Sequence, residues 1–304
     1  MHGSSGTEAR AVPVSGVVLA LAGAMAFSGK AIIVKLAYRY GVDAVTVIMY
    51  RMLFALPIFL AMSWWAGRGQ PPLSRRDWLG VLGLGVTGYY LASFLDFLGL
   101  QYVTASLERL ILYLNPTLVL LLAWVLHRRP FGRAQLAGMA ISYAGVMLVF
   151  GHEARLEGRN VALGTALVFL SAVSYAVYLV YSGEMVKRLR SLRLVGLATT
   201  VACVLCIAQF LVLRPVDVAL AVAPEVVWLS LLNAVACTAV PVLLVMMAIE
   251  RVGASVTAQT GMVGPLSTIL LGVWLLGEPF TAWIAAGTAL VIVGIFVFTR
   301  AARR

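Results

Sequence analysis

Apolar residues run through the chain in ten long blocks separated by short polar connections, at roughly 14–36, 44–66, 78–99, 103–126, 134–151, 161–182, 194–214, 226–249, 254–276 and 282–299. A helix needs roughly 20 such residues to cross a hydrocarbon core about 30 Å thick. The pattern predicts an all-α integral membrane protein with ten transmembrane helices. Composition agrees: 62% of the 304 residues are hydrophobic and 12% charged, far from the balance of a soluble domain.

The basic residues sort to one side of these spans. With a cytoplasmic N-terminus, the termini and the connections after even-numbered spans hold 15 of the 23: Arg10, Arg68, Arg75, Arg76, Arg128, Arg129, Arg133, Lys187, Arg188, Arg190, Arg193, Arg251, Arg300, Arg303 and Arg304. The other side holds five, Lys35, Arg39, Arg155, Arg159 and Arg214, and three lie inside spans. The positive-inside rule reads this as both termini cytoplasmic. A formal net charge of +11 then needs no nucleic-acid partner, because an anionic inner leaflet accounts for it. Residues 1–13 are expected to form a disordered tail and 300–304 a basic one. Cys203, Cys206 and Cys237 fall in apolar blocks, where small packing residues are expected rather than a metal or redox site.

The second half of the chain repeats the first. Displaced by 149 positions, Val103, Ala105, Ser106, Pro116, Leu121, Leu122, Leu126, Pro130, Phe131, Gly138 and Gly145 fall on Val252, Ala254, Ser255, Pro265, Leu270, Leu271, Leu275, Pro279, Phe280, Gly287 and Gly294. At 148 positions, Gly16 and Ala24 fall on Gly164 and Ala172. The unit is five spans, 14–150 and 161–299. Five is odd, so the second copy enters the membrane from the opposite side. Inverted repeats are the layout from which secondary transporters build alternating access, with the site near the midplane.

Tyr50-Arg51, Asn115-Pro116, Gly264-Pro265 and Gly277-Glu278-Pro279-Phe280 carry a resemblance. The chain resembles the drug/metabolite transporter superfamily in its ten-helix form with two EamA-type repeats, from Val14 to Thr299. The first repeat departs from the Gly-Glu-Pro pattern with Arg128-Arg129-Pro130-Phe131. The resemblance implies a multi-pass protein of the bacterial inner membrane that exports small metabolites, often amino acids and in one branch aromatic ones.

Ionisable groups inside spans are costly and each requires a reason. Lys30, Arg51, Asp96, Glu108 and Arg109 qualify, all in the first repeat. Asp96, Glu108 and Arg109 surround the turn at 98–104, about 5–10 Å from the outer surface at the helical rise of 1.5 Å per residue. Arg109 is expected to pair with Asp96 or Glu108, as a structural ion pair or a gate. Arg51 is open to a structural or a functional role, and Lys30 either meets a carboxylate or snorkels outward. No span centre carries Asp, Glu or His, which points to facilitated uniport rather than proton antiport. No Walker motif, protease dyad or zinc motif occurs, so neither an enzyme nor a cofactor or metal is expected.

Polar and aromatic side chains gather instead at mid-span, where a hydroxyl or amide facing lipid would lack a partner. Phe27, Ser28, Tyr89, Tyr90, Tyr113, Asn115, Tyr175, Tyr178, Asn233, Thr238 and Gln259, with Lys30, are the expected lining of a small-molecule site. Asn115, Gln259 and freed carbonyls would meet a substrate ammonium, and Lys30 its carboxylate. Pro116, Pro241 and Pro265 remove N–H donors near mid-span and should bend their helices. The rival readings are a lipophilic-cation exporter driven by proton antiport, which would want a membrane-embedded acid, and a non-transporting membrane scaffold or enzyme. Oligomeric state is left open.

Overall fold

The computed structural model describes residues 14–127, 132–157, 159–260 and 263–301. The expected N-terminal tail, the Arg128–Phe131 motif and residues 302–304 lie outside them. The elements are α1 (Val14–Tyr38), α2 (Ala44–Gly67), α3 (Arg75–Leu84), α4 (Ala92–Gly99), α5 (Ala105–Leu112), α6 (Asn115–His127), α7 (Arg133–Glu157), α8 (Arg159–Leu189), α9 (Ser191–Leu213), α10 (Val216–Leu220), α11 (Pro224–Ala234), α12 (Val240–Thr260), α13 (Gly264–Leu271) and α14 (Ala282–Ala301). Wider π-helical turns join α3 to α4 at Gly85–Leu91 and α11 to α12 at Val235–Ala239, and a third, Gly272–Leu276, ends α13. Among the described residues there is no strand.

Among the described residues, eight helical stretches are long and apolar enough to cross a membrane, the last being Pro224–Val245; two shorter apolar helices, Gly264–Leu276 and Ala282–Phe298, follow. The expected connection at 250–253 is not present. Helix α12 runs through it to Thr260, so Arg251 stands on a helix. Glu250-Arg251-Val252-Gly253 contains no proline, and one glycine costs a helix only about 1 kcal/mol. Helix resumes at Gly264, which places Pro265 in the first turn of α13, where its missing N–H costs nothing. The outer surface is apolar, with Trp274 79% and Val212 83% exposed, as a chain covered by lipid requires.

Polar caps fix the helix starts. Asp43 accepts from the amides of Val45 (2.8 Å) and Thr46 (3.1 Å) at the head of α2 and meets Arg214 Nε at 3.3 Å. Burial pushes the Asp43 carboxyl up, but the bonds from Thr46 and the charge of Arg214 outweigh it and hold the group below its ordinary value. Ser74 and Asp77 form a capping box on α3. At the head of α5, the Thr104 hydroxyl accepts from Leu107 N (3.0 Å) and donates to Glu153 (2.5 Å). Glu278 reaches the same helix start from the far end of the sequence, accepting from Ala105 N (2.8 Å), Ser106 N (3.3 Å) and Ser106 Oγ (3.0 Å). Gly277, at φ +72°, makes the turn that aims it there.

Small residues let the helices approach closely. A Cβ on Gly16 would run into Val252, and one on Gly164 would run into Val103. A Cβ on Gly138 would meet the Gly294 carbonyl, and one on Gly145 the Gly287 carbonyl. Helices α7 and α14 therefore cross glycine to glycine, antiparallel. Cys203, Cys206 and Cys237 are buried free thiols, with Cys203 Sγ 3.7 Å from Met52 Sδ.

Candidate functional site

A cavity of about 310 Å³ opens inside the bundle among α1, α2, the π turn of α3–α4, α5, α8 and the π turn of α11–α12. Local irregularities of these helices build its wall. Pro116 has no N–H for the Leu112 carbonyl four residues back, and Asn115 Nδ2 donates to that carbonyl instead at 2.7 Å. The chain accordingly breaks at Tyr113–Leu114, between α5 and α6, and both Tyr113 and Asn115 reach the cavity. Asn115 Oδ1 is buried with no hydrogen-bond partner. In the π turn of α3–α4, Ser174 donates to the Thr87 carbonyl and Ser171 to that of Ala92, each at 2.7 Å, which ties this segment to α8.

Aromatic rings cover one wall. Tyr175 and Tyr178 stack with centroids 5.4 Å apart, and Tyr178 meets Tyr89 edge-on at 5.2 Å, their hydroxyls 3.1 Å apart. Gly88 makes room for this, since a Cβ there would overlap the Tyr178 ring. Tyr89 and Tyr175 face the cavity while Tyr178 stands behind as their support.

The charged residues divide differently from the expected scheme. Arg109 pairs with neither carboxylate: its Nε donates to Thr268 Oγ1 at 2.8 Å and its Nη2 to the Phe27 carbonyl at 3.2 Å. Lys30 takes the acids instead, with Nζ 2.5 Å from Asp96 Oδ2 and 3.6 Å from Glu108 Oε1. The physical reason is direction: Arg109 projects from α5 toward α13 and α1, whereas Glu108, one residue earlier, turns toward Lys30. Asp96 and Glu108 are 1% and 0% exposed, and both lie within ion-pair distance of the Lys30 ammonium. Asp96, off the centre of its span, also lines the cavity. Of the two expectations for Lys30, meeting a carboxylate and snorkelling outward, the structure shows the first. Arg51 is buried, donates from Nε to Thr238 Oγ1 at 3.1 Å and lies 5.1 Å from the centroid of the Phe97 ring.

The structure brings Phe27, Lys30, Arg51, Tyr89, Asp96, Arg109, Tyr113, Asn115, Tyr175 and Thr238 to this one cavity. Four others stand off its wall. Ser28 donates to the Gly264 carbonyl, bracing α1 on α13. Asn233 Nδ2 donates to the Lys30 carbonyl. Tyr90 packs in the core behind the cavity, and Tyr178 backs Tyr89. Glu108, Pro116, Pro241 and Pro265 shape the surroundings without lining it. Pro241 sits inside α12 just after its π turn, with no break in the helix. The side chain of Gln259 lies outside the described residues. Phe59, Leu112, Ser171 and Val242 line the cavity without having been expected there. Helical spacing was their signal: Ser171 and Val242 stand one turn from Tyr175 and Thr238, and Leu112 one turn from Arg109.

A polytopic helical membrane protein with an internal cavity lined by aromatic, apolar and a few charged side chains is what fold and site together define. The EamA-like transporter family matches residues 14–151 and again 162–300, and the chain belongs to that family. Its function is that of a transporter. It is 30% identical to the uncharacterized transporter YcbK of Bacillus subtilis, over 87% of this chain and 86% of that one. An uncharacterized transporter of Archaeoglobus fulgidus is 25% identical, over 90% of this chain and 93% of its own length. A crystal structure of a protein 19% identical in sequence superposes with a TM-score of 0.65, covering 96% of this chain and 98% of that one, and shares the fold.

Proposed function

We propose that the protein is a secondary transporter exporting small metabolites, foremost neutral and aromatic amino acids, across the bacterial inner membrane by alternating access. The observation that carries this reading is the cavity itself. Phe27, Tyr89, Tyr113 and Tyr175 offer aromatic faces to an apolar side chain, while Asp96 and the unpartnered Asn115 Oδ1 are acceptors for an ammonium. A lipophilic-cation exporter fits less well, because three cationic side chains, Lys30, Arg51 and Arg109, line the same cavity.

Two five-helix units, 14–150 and 161–299, inverted in the membrane, would supply the moving parts. The close contacts support this. Gly16 against Val252 and Gly164 against Val103 are one contact made twice with the partners' roles exchanged, as are Gly138 against Gly294 and Gly145 against Gly287. Such exchange is the signature of a two-fold relation, and a parallel repeat would instead have set Gly138 against Gly287. In a variant with its native cysteines replaced, Asp217→Cys should react with an impermeant maleimide added outside, whereas Gln70→Cys and Lys187→Cys should be protected until the membrane is opened. External labelling of Lys187→Cys would defeat both the orientation and the inversion.

Export would be driven by the substrate's own gradient, since Lys30 gives the buried acids a fixed countercharge. The buried Asp96–Glu108 pair is the feature that favours proton antiport instead. Counterflow of labelled phenylalanine in proteoliposomes decides between them. Flux is expected with no pH gradient and in either direction, and Tyr175→Ala should lower it several-fold in correctly inserted protein. Strict dependence on an imposed proton gradient, lost in Asp96→Asn or Glu108→Gln, would replace uniport by antiport. Absence of amino-acid flux, with uptake of a cationic dye, would overturn the substrate class.

A further inference from the structure

The cavity wall carries more positive than negative charge. Three cations, Lys30, Arg51 and Arg109, face it, against Asp96 and the adjoining Glu108. Both acids are taken by Lys30, and among the described residues no carboxylate lies within ion-pair distance of Arg51. Arg51 is nonetheless 6% exposed, deep in α2. A buried guanidinium with no counter-ion is a costly state that evolution keeps where an anion arrives from outside.

The local geometry fixes how that anion would be met. Thr238 Oγ1 accepts from Arg51 Nε and donates its own proton to the Asn233 carbonyl at 2.9 Å, five residues back across the π turn. The wider turn thus supplies the free carbonyl that orients the hydroxyl. The Phe97 ring lies against the guanidinium, and the Asp96 carboxylate on the same cavity wall stands beyond ion-pair distance of it, held by Lys30. Arg51 Nη1 is buried and has no hydrogen-bond partner. A planar fork held at one nitrogen, braced by a ring and left open at another is suited to a planar carboxylate rather than to a spherical ion.

We propose that Arg51 is the carboxylate anchor of the cavity, oriented by Thr238, and that the transported molecules are carboxylates with an apolar body. This rests on the cavity being the transport site and narrows the substrate class beyond it. It assigns the carboxylate to α2 and leaves the ammonium to the Asp96 and Asn115 side. A lysine at position 51 would keep the charge but lose the fork.

The test uses the full chain in detergent or nanodiscs and four probes: L-phenylalanine, 3-phenylpropionate, L-phenylalaninamide and phenethylamine, each titrated by thermal shift and calorimetry. In the wild type, the two carboxylates should bind roughly tenfold or more tighter than the two amines, the range of a charge-assisted hydrogen bond. Arg51→Gln should abolish that preference while leaving the amide's affinity in place. Arg51→Lys, chosen in case the glutamine variant folds poorly, should retain only part of it. A carboxylate preference that survives in Arg51→Gln overturns the proposal, as does a wild type that binds amines as well as acids. So does a protein whose preference disappears when chloride replaces gluconate, which would mark Arg51 as a site for any small anion. If 3-phenylpropionate binds in an Arg51-dependent way while no amino acid is exported, the anchor stands and the amino-acid reading falls. If phenylalanine and its amide are exported equally by wild type and Arg51→Gln, the reading stands and the anchor falls.

Discussion

Replacing Glu278 with alanine is expected to destabilise the folded protein by about 3–5 kcal/mol, the cost of stripping a buried charged partner from groups left behind. The carboxylate is 9% exposed and takes bonds from two amides and one hydroxyl at the start of α5, with Lys35 Nζ 4.0 Å away. These amides are the unsatisfied first donors of a helix, and its dipole adds to their pull on a negative charge. Glu278→Gln keeps one acceptor oxygen and should lose only about 1–2 kcal/mol. Denaturation of the purified protein in detergent reads both. Because α5 carries Arg109 and Leu112 into the cavity, the alanine variant should also transport poorly. Equal stability of wild type and Glu278→Ala would mean that the cap contributes nothing to holding the two ends of the sequence together.

Lys30→Met should be as damaging for a different reason. It leaves two buried carboxyls, Asp96 and Glu108, without their ammonium, and breaking a buried ion pair from one side costs about 3–5 kcal/mol. The protein is expected to accumulate poorly and to unfold at a lower temperature. The double variant Lys30→Met with Asp96→Asn removes one of the stranded charges, and should regain a large part of the loss. That recovery separates an electrostatic role from a packing role, since the packing around position 30 is altered alike in both variants. If the double variant is no more stable than Lys30→Met, then the ion pair is not what holds α1 to α4.

The helices were legible because their cause is local. Twenty apolar residues in a row have few alternatives once the backbone must satisfy itself away from water, and blocks such as 44–66 and 194–214 reappear as α2 and α9 within a few residues. The duplication was legible too, because the spacing of Pro116, Gly138 and Gly145 against Pro265, Gly287 and Gly294 is a property of sequence alone. Which mid-span polar residues gather at one depth was partly legible: Tyr89, Tyr113, Asn115, Tyr175 and Thr238 share the cavity.

Facing was not. One residue of helix turns a side chain through about 100°, so Glu108 and Arg109 point to different neighbours and the expected pairing gave way to Lys30. Partners distant in sequence were equally out of reach: Thr238 is 187 positions from the Arg51 it orients, and Glu278 is 173 from the helix start it caps. The sequence by itself determined a helical membrane chain built twice over, with its rare charges in one half. Only the tertiary structure decided which charges answer one another and which was left open, because ion pairing inside a bundle depends on helix rotation and contact, which no local pattern encodes.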